Sequence, residues 1–507
     1  MTKSASLEIH QINVSQGDCT LVLNRDQAKL KAIVEDRAKN ASNANDRALA
    51  TDVLNSDPLN YLPYCIHAKL SLKDTVKAAL LVDAGNDGYG PDVRAYLLKV
   101  GAIVPGLYQP QLSLLATHYH DDHQDGLRSL MRDPMDPNKL KLAKQAAAQV
   151  GAGHVETTVE AVRPARFFRP APHDKTVDPK AFRDRSTGLF PAMLAELNNQ
   201  PTSYTTGQIP KTSVLPIPMG GTNGLQRSVI HLGVDAASQP IDVFVLASDQ
   251  AYAVDGRTKE DIPNKNPKKG RPSSENDRSV VLMVQYGSFR HFLGGDIGGS
   301  TCTIEADVEG KLATVLPTML PLIPNYRATT APSHCCSTKL SHHGSRHSNT
   351  DQLLRVLQPK VALASTGFRQ YFHGHPTAEN INRMKPGATW AGQNPTAMGT
   401  TLSHILATEI ASVGKGKAFD PDTGLNVKVM GDIVLRPVDE TVRPRLTTTG
   451  TWDSRVTLQI YGSGDFSWVD PSDSRYALRA GEPTPTAGAP GFPIYPIAPF
   501  ETVCDGH

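Results

Sequence analysis

Ala116-Thr117-His118-Tyr119-His120-Asp121-Asp122-His123-Gln124-Asp125-Gly126 is the stretch that decides how this chain is read. It follows the apolar run from Leu112 and reads as a buried strand that stops, crosses a loop of metal-binding side chains and enters a helix over Gln124–Met131. Side chains two apart on an extended backbone share a face, so His118 and His120 present two imidazoles to one side. Asp122 suits the N-cap of the helix, and the turn aims Asp122 and His123 at the space the first pair faces. Three imidazoles and a carboxylate within six residues suit zinc or another borderline transition metal. A polar surface loop rarely gathers four ligand-type residues at this spacing behind a buried strand.

The same grammar recurs along the chain: an apolar strand, then glycine, aspartate or histidine. Ala78–Val82 runs into Asp83-Ala84-Gly85, Arg290–Leu293 into Gly294-Gly295-Asp296, Lys339-Leu340 into Ser341-His342-His343-Gly344-Ser345, and Val361–Thr366 into the His373-Gly374-His375-Pro376 loop. Loops beyond strand ends are where layered α/β sheets bind ligands, and strands of one sheet bring such loops together across long sequence distances. Two divalent ions, zinc or manganese, are therefore expected. His118, His120 and His343 are assigned to one and Asp83, Asp122 and His123 to the other, with Asp296 bridging. Adjacent histidines on an extended backbone face opposite ways, so one of His342 and His343 is expected to coordinate. His342 and His375 are then candidates for proton delivery or for holding a phosphate oxygen, with Asp122 beside the reacting water. Asp18, in the turn after Leu7–Val14, reads either as turn chemistry or as support for a metal ligand.

Composition places few limits on partners. The 507 residues are 39% hydrophobic and 20% charged with a formal charge of +2, an ordinary globular balance that leaves any nucleic-acid contact to local patches. Two such patches are Arg163-Pro164-Ala165-Arg166-Phe167-Phe168-Arg169, which interleaves bases with aromatics, and the Lys265–Arg271 loop. No apolar run has the length to cross a bilayer, and the opening residues lack a signal-peptide core. Cys19, Cys65, Cys302, Cys335, Cys336 and Cys504 show neither Cys-x-x-Cys spacing nor scaffold density, so they read as reduced thiols of a cytoplasmic protein. The domain reading is a catalytic unit over residues 1–430, interrupted by insertions near 25–75, 133–276 and 300–337, followed by a β-rich extension over 431–507 with a Pro/Gly-rich tail.

The His-x-His-x-Asp-His string resembles the signature of the metallo-β-lactamase superfamily, and that resemblance implies an α/β fold of αββα sandwich type with a two-metal site at one edge. Ile12–Asp18, Leu81–Gly85, Gly294–Asp296, His342–Ser345 and Gly374–Pro376 most resemble the branch of the nuclease domain of bacterial DNA-uptake channels. Phosphorylcholine esterases look similar in the same places, and that resemblance supports Asp83 and His343 as ligands. Both relatives act on phosphodiesters, so the resemblance implies a phosphodiesterase or nuclease with a phosphodiester substrate, nucleic acid included, and no membrane partner. The alternatives are hydrolysis of an ester, lactone, thioester or β-lactam at the same site, or a metal-stabilised binding protein. His120 stands where the uptake-channel branch often has Asp, and the superfamily's isolated third histidine has no clear counterpart among His154, His173 and His231.

Overall fold

The computed structural model describes residues 3–14, 17–86, 88–105, 108–131, 162–170, 212–218, 228–249, 251–253, 259–261, 274–299, 306–319, 335–367, 375–384, 402–408, 427–443, 445–446, 448, 452–453, 455–463 and 497–504. Its strands in chain order are β1 (Leu7–Gln11), β2 (Thr20–Arg25), β3 (Val76–Val82), β4 (Tyr108–Leu115), β5 (Arg163–Arg169), β6 (Ser213–Pro216) and β7 (Val229–Val234). They continue with β8 (Pro240–Ser248), β9 (Ala251–Ala253), β10 (Lys259–Asp261), β11 (Val281–Tyr286), β12 (Phe289–Leu293), β13 (Ser337–Lys339) and β14 (Val361–Ala364). The last are β15 (His404–Ala407), β16 (Val427–Val429), β17 (Ile433–Pro437), β18 (Arg445–Leu446), β19 (Trp452–Asp453), β20 (Val456–Gly462) and β21 (Ile497–Cys504). The helices used below are α1 (Gln27–Asn40), α2 (Ala44–Leu54), α3 (Tyr61–His67), α4 (Gly90–Lys99), α5 (Asp121–Met131), α6 (Val308–Met319), α7 (Asp351–Leu357) and α8 (Ala378–Arg383).

Two large sheets result. One runs β21-β20-β17-β1-β2-β3-β4-β5-β6, the other β10-β9-β8-β11-β12-β13-β14-β15-β16, with β7 also on β8. Their strands alternate, so each sheet has two apolar faces. Leu7, Ile9, Val22 and Leu80 of the first sheet pack against Ile241, Val243, Leu282 and Val284 of the second. On the outer face of the first sheet, Leu21, Leu81 and Leu114 meet Val93 and Leu97 of α4 and Leu127 and Leu130 of α5. Phe244, Met283 and Phe292 of the second meet Leu312 of α6 and Leu353 of α7. The layers are helix, sheet, sheet, helix, which is the expected αββα sandwich.

Several expectations change. The stretch 25–75 is helical as expected, with Asp26 and Asn43 capping α1 and α2. The middle stretch 133–276, read as an insertion, supplies β5–β10 to both sheets. Arg163–Arg169 is the interior strand β5, with Arg163, Phe167 and Phe168 buried, so it is no exposed phosphate-gripping loop. Its bases recur every third residue, so along a strand Arg166 faces away from Arg163 and Arg169. Lys265–Arg271 lies outside the described residues. The segment set apart as a C-terminal extension supplies β17, β20 and β21, which continue the first sheet beyond β1. Cys336 and Cys504 form a disulfide between the sheets with their Cα atoms 5.3 Å apart, which corrects the all-thiol reading and removes the support it gave to a cytoplasmic setting. Their separation of 168 residues left no spacing signal. No helix among the described residues is long and apolar enough to cross a membrane.

Candidate metal centre

Parallel register delivers the ligand loops to one edge. Val82 lies opposite Leu115, so β3 and β4 leave the sheet together into Asp83 and Thr117–His123. Leu293 lies opposite Lys339, so β12 and β13 likewise release Asp296 and His342–His343 side by side. Helix α5 begins at Asp121, three residues before the expected start, so Asp122 sits in its first turn instead of capping it; the carbonyl of His120 takes the N–H groups of His123 and Gln124. Gly126 brings this helix against the end of β3, where an added Cβ would stand 1.8 Å from the carbonyl oxygen of Ala84. His342 and His343 are not extended: both have positive φ, 50° and 52°, in a tight turn that buries His343 and leaves His342 part-exposed.

His123 stands at the centre. Its Nδ1 is 2.8 Å from Asp83 Oδ2, and its Nε2 is 3.2 Å from Asp296 Oδ2 and 3.9 Å from Asp122 Oδ1. His343 directs Nε2 at Asp122 Oδ2 (3.3 Å) and Asp296 Oδ2 (3.7 Å), with Nδ1 on the carbonyl of Ser365 (3.0 Å) and near Asp18 Oδ1 (3.2 Å). His118 Nε2 lies 3.0 Å from His120 Nδ1 and 4.0 Å from Asp296 Oδ2. Ligands held about 2.0–2.2 Å from a tetrahedral ion are about 3.3–3.6 Å apart, close to the separations among Asp122, His123, His343 and Asp296. Nε2 of His123, Nε2 of His343 and Oδ1 of Asp296 are buried without a hydrogen-bond partner, as expected of atoms arranged for a metal. Three triads among the described residues, His118-His123-Asp296, Asp122-His123-His343 and Asp18-Asp83-His123, each bring their ligand atoms within 4.8 Å of one another. The donor set fits divalent metal, with His343 grouped beside Asp122 and His123 and not with His118 and His120 as the sequence suggested.

The charges give the same reading. Burial alone would lower His123, but Asp296, Asp83 and Asp122 raise it well above the usual histidine range. Burial alone would raise Asp296 and Asp122, yet His123 and His343 hold both carboxyls below their ordinary range. His118, buried and beside two other imidazoles, is pushed well below its usual value. The carboxylates thus draw positive charge onto His123 where a cation fits.

Asp83, expected as a ligand, stands in the triad with Asp18 and His123; it accepts hydrogen bonds from Thr117 N (2.8 Å) and Thr117 Oγ1 (2.6 Å) and faces His123 Nδ1. His375 is buried, its ring 5.4 Å from that of His342 and 6.4 Å from that of His343. His373, His154 and His173 lie outside the described residues, and His231 is exposed on β7, paired with Asp242. The sequence reading gave no role to Thr117, Ser279 or Lys339. Lys339 is buried with its Nζ against Asp18 Oδ2; burial pulls its ammonium well below the usual range, and the carboxylate works in the other direction. A lysine closing the buried-strand triplet Ser337–Lys339 is the signal that was available.

No family model matches the chain. Over 162 residues, 30% of this chain, it is 28% identical to ComE operon protein 3 of Bacillus subtilis (strain 168), and the match spans 18% of that protein. The chain itself folds as an αββα sandwich that carries a His/Asp cluster at one edge of its sheets. Among solved structures it is similar to the metallo-β-lactamase fold protein YhfI of Bacillus subtilis, with 11% identity, a TM-score of 0.26, and 71% of this chain and 98% of the other covered. It is also similar to a variant of the β-hydroxylase CmlA, with 9% identity, a TM-score of 0.24, and coverage of 70% and 57%. Scores this low do not decide the fold; the layers and ligand loops of the chain itself do. The His/Asp cluster is a set of residues that could hold metal.

Proposed function

We propose that the protein is a phosphodiesterase, with nucleic acid within its substrate class, working through two divalent ions, zinc or manganese. The observation that carries metal-dependent hydrolysis is the set of buried His123, His343 and Asp296 with part-exposed Asp122, at metal-like spacing, in which Nε2 of both histidines and Oδ1 of Asp296 have no hydrogen-bond partner. A phosphodiester is favoured over an acyl bond by Ile12–Asp18, His342–Ser345 and Gly374–Pro376, the motifs shared with the nuclease and phosphorylcholine esterase branches.

Asp122, His123, His343 and Asp296 would hold one ion, and His118 and His120 the other, with Asp296 between them. Ions bound there supply Lewis acidity toward phosphoryl oxygen and lower the pKa of water toward about 7. Asp83 holds the ring of His123 through Nδ1, and the carbonyl of Ser365 holds that of His343, so both present Nε2. His342 and His375 stand together beside the cluster, in place to bind a phosphate oxygen or give a proton to the leaving group.

The test is a substrate panel with zinc or manganese supplied: DNA, RNA and a model phosphodiester against chromogenic ester, lactone, thioester and β-lactam. Phosphodiester cleavage is the expected result. Turnover confined to the acyl substrates overturns the substrate assignment, and tight metal binding without turnover of any substrate returns the protein to a metal-stabilised binding role.

A further inference from the structure

We propose that Thr117 is a positioning residue whose hydroxyl carries the influence of Asp83 to His118 and determines which His118 nitrogen is left bare for metal. This rests on the reading of His118 as a metal ligand.

The argument is an accounting of protons. Thr117 is buried, and its Oγ1 has one proton to donate and two lone pairs to accept with. Three donors converge on Asp83: Thr117 N on Oδ1 at 2.8 Å, and Thr117 Oγ1 at 2.6 Å and His123 Nδ1 at 2.8 Å on Oδ2. A carboxyl ringed by donors is an acceptor, so the single proton of Thr117 is committed to it. Toward His118 Nδ1, 3.1 Å away, the same hydroxyl oxygen can therefore only accept. His118 must carry its proton on Nδ1, which leaves Nε2 as a lone pair facing His120 Nδ1 and Asp296.

One carboxylate thus fixes two rings, His123 by direct contact and His118 through a hydroxyl. Asp83 is held for this in a left-handed conformation with φ 57°, its N–H on the carbonyl of Leu115. The competing arrangement involves Ser279, whose Oγ lies 3.3 Å from His118 Nδ1 and accepts from Asp296 N at 3.0 Å. If the Ser279 proton were given to Nδ1, His118 would be the opposite tautomer and its Nε2 blocked.

The experiment measures zinc stoichiometry and affinity by chelator competition for wild type, Thr117→Val and Thr117→Ser, all as full chains. Thr117→Val is expected to weaken one of two bound ions about 10–100-fold and leave the other within about threefold, because His123 keeps its direct bond to Asp83. Thr117→Ser, which keeps the hydroxyl, is expected to bind like wild type. Unchanged binding in Thr117→Val, equal weakening of both ions, or a Thr117→Ser defect as large as that of Thr117→Val overturns the proposal. A second readout needs no folded valine variant. In ¹⁵N-histidine-labelled, metal-free wild type, the His118 ring, assigned by its loss in His118→Asn, is expected to be protonated on Nδ1; protonation on Nε2 overturns the proposal. Wild type that binds no zinc overturns the metal reading itself and this proposal with it, whereas zinc-binding wild type with an unaffected Thr117→Val overturns this proposal alone.

Discussion

Two clusters of charge, one inside the first sheet and one where the ligand loops of both sheets meet, are built on opposite plans. In the body of the sheet, Glu8 of β1 lies between two guanidiniums. Arg25 donates to both its oxygens at 2.8 Å, and Arg436 approaches Oε1 to 3.7 Å. Arg25 is further engaged by Thr75 Oγ1 and the carbonyl of Val100, and His10 Nε2 meets Glu8 at 3.1 Å. At the edge where both sheets release their ligand loops, Asp18, Asp83, Asp122 and Asp296 gather around His118, His123 and His343, with Lys339 against Asp18. The first cluster pairs its carboxylate with two guanidiniums; the second sets four carboxylates around His123 and leaves ligand atoms bare. A buried ion pair is compatible with pure architecture, whereas a buried surplus of carboxylate with bare ligand atoms costs stability unless a cation joins it.

Deleting one carboxylate from each cluster should separate the two plans most sharply. Asp296→Ala is expected to lower phosphodiester turnover roughly a thousandfold, equivalent to about 4 kcal/mol of lost charge stabilisation. Its metal-free thermal midpoint should hold or rise, because three carboxylates still surround His123. Glu8→Gln should do the reverse, costing about 3–5 kcal/mol by urea unfolding through two unpaired guanidiniums, with metal binding intact in the folded fraction. Equal stability losses in the two variants would break the comparison.

Metal addition is the next contrast. Free zinc at a hundred times its dissociation constant should raise the stability of wild type by about 2.7 kcal/mol, and a chelator should reverse the gain. The gain should shrink in a His123→Ala variant and persist in full in Glu8→Gln.

The smallest effect comes from a third buried acid. Glu309 accepts the N–H groups of Asn349 and Thr350 at 2.6 and 2.7 Å, yet burial still pushes its carboxyl from an ordinary 4.5 up to about 7. The folded state therefore keeps a proton that the unfolded chain releases. This contribution is fully present below pH 4.5 and is lost as pH rises toward 7, at a slope of at most about 1.4 kcal/mol per pH unit. Urea midpoints at pH 5 and 7 should show the decline in wild type and a flatter profile in Glu309→Gln.

What could be read in the sequence was local. His118, His120, Asp122 and His123 lie within six residues, and Asp83, Asp296 and His343 each follow an apolar strand, so strand ends and ligand types were visible without coordinates. Partners separated by long stretches of chain were not: Lys339 meets Asp18 across 321 positions, and Cys336 meets Cys504 across 168. The grouping of His343 with Asp122 depends on a left-handed turn at His342–His343 that an extended reading of the pair cannot supply. The composition of Arg163–Arg169 does not show that it is a strand with Arg163 buried and Arg166 exposed. The strands of 133–276 lie among proline and polar residues, and nothing local in the sequence shows that they join the two sheets.

The place of β17 has a consequence for how the molecule comes into being. Its residues Ile433–Gln11 and Leu435–Ile9 pairings close the open side of β1, and Asp432 caps the N–H of Asn13 at 2.8 Å. During synthesis every ligand through His343 emerges from the ribosome while that side of β1 still has no neighbour. A nascent chain halted between those two points carries a full complement of ligands on an unfinished sheet, its first strand open to pairing with any passing chain.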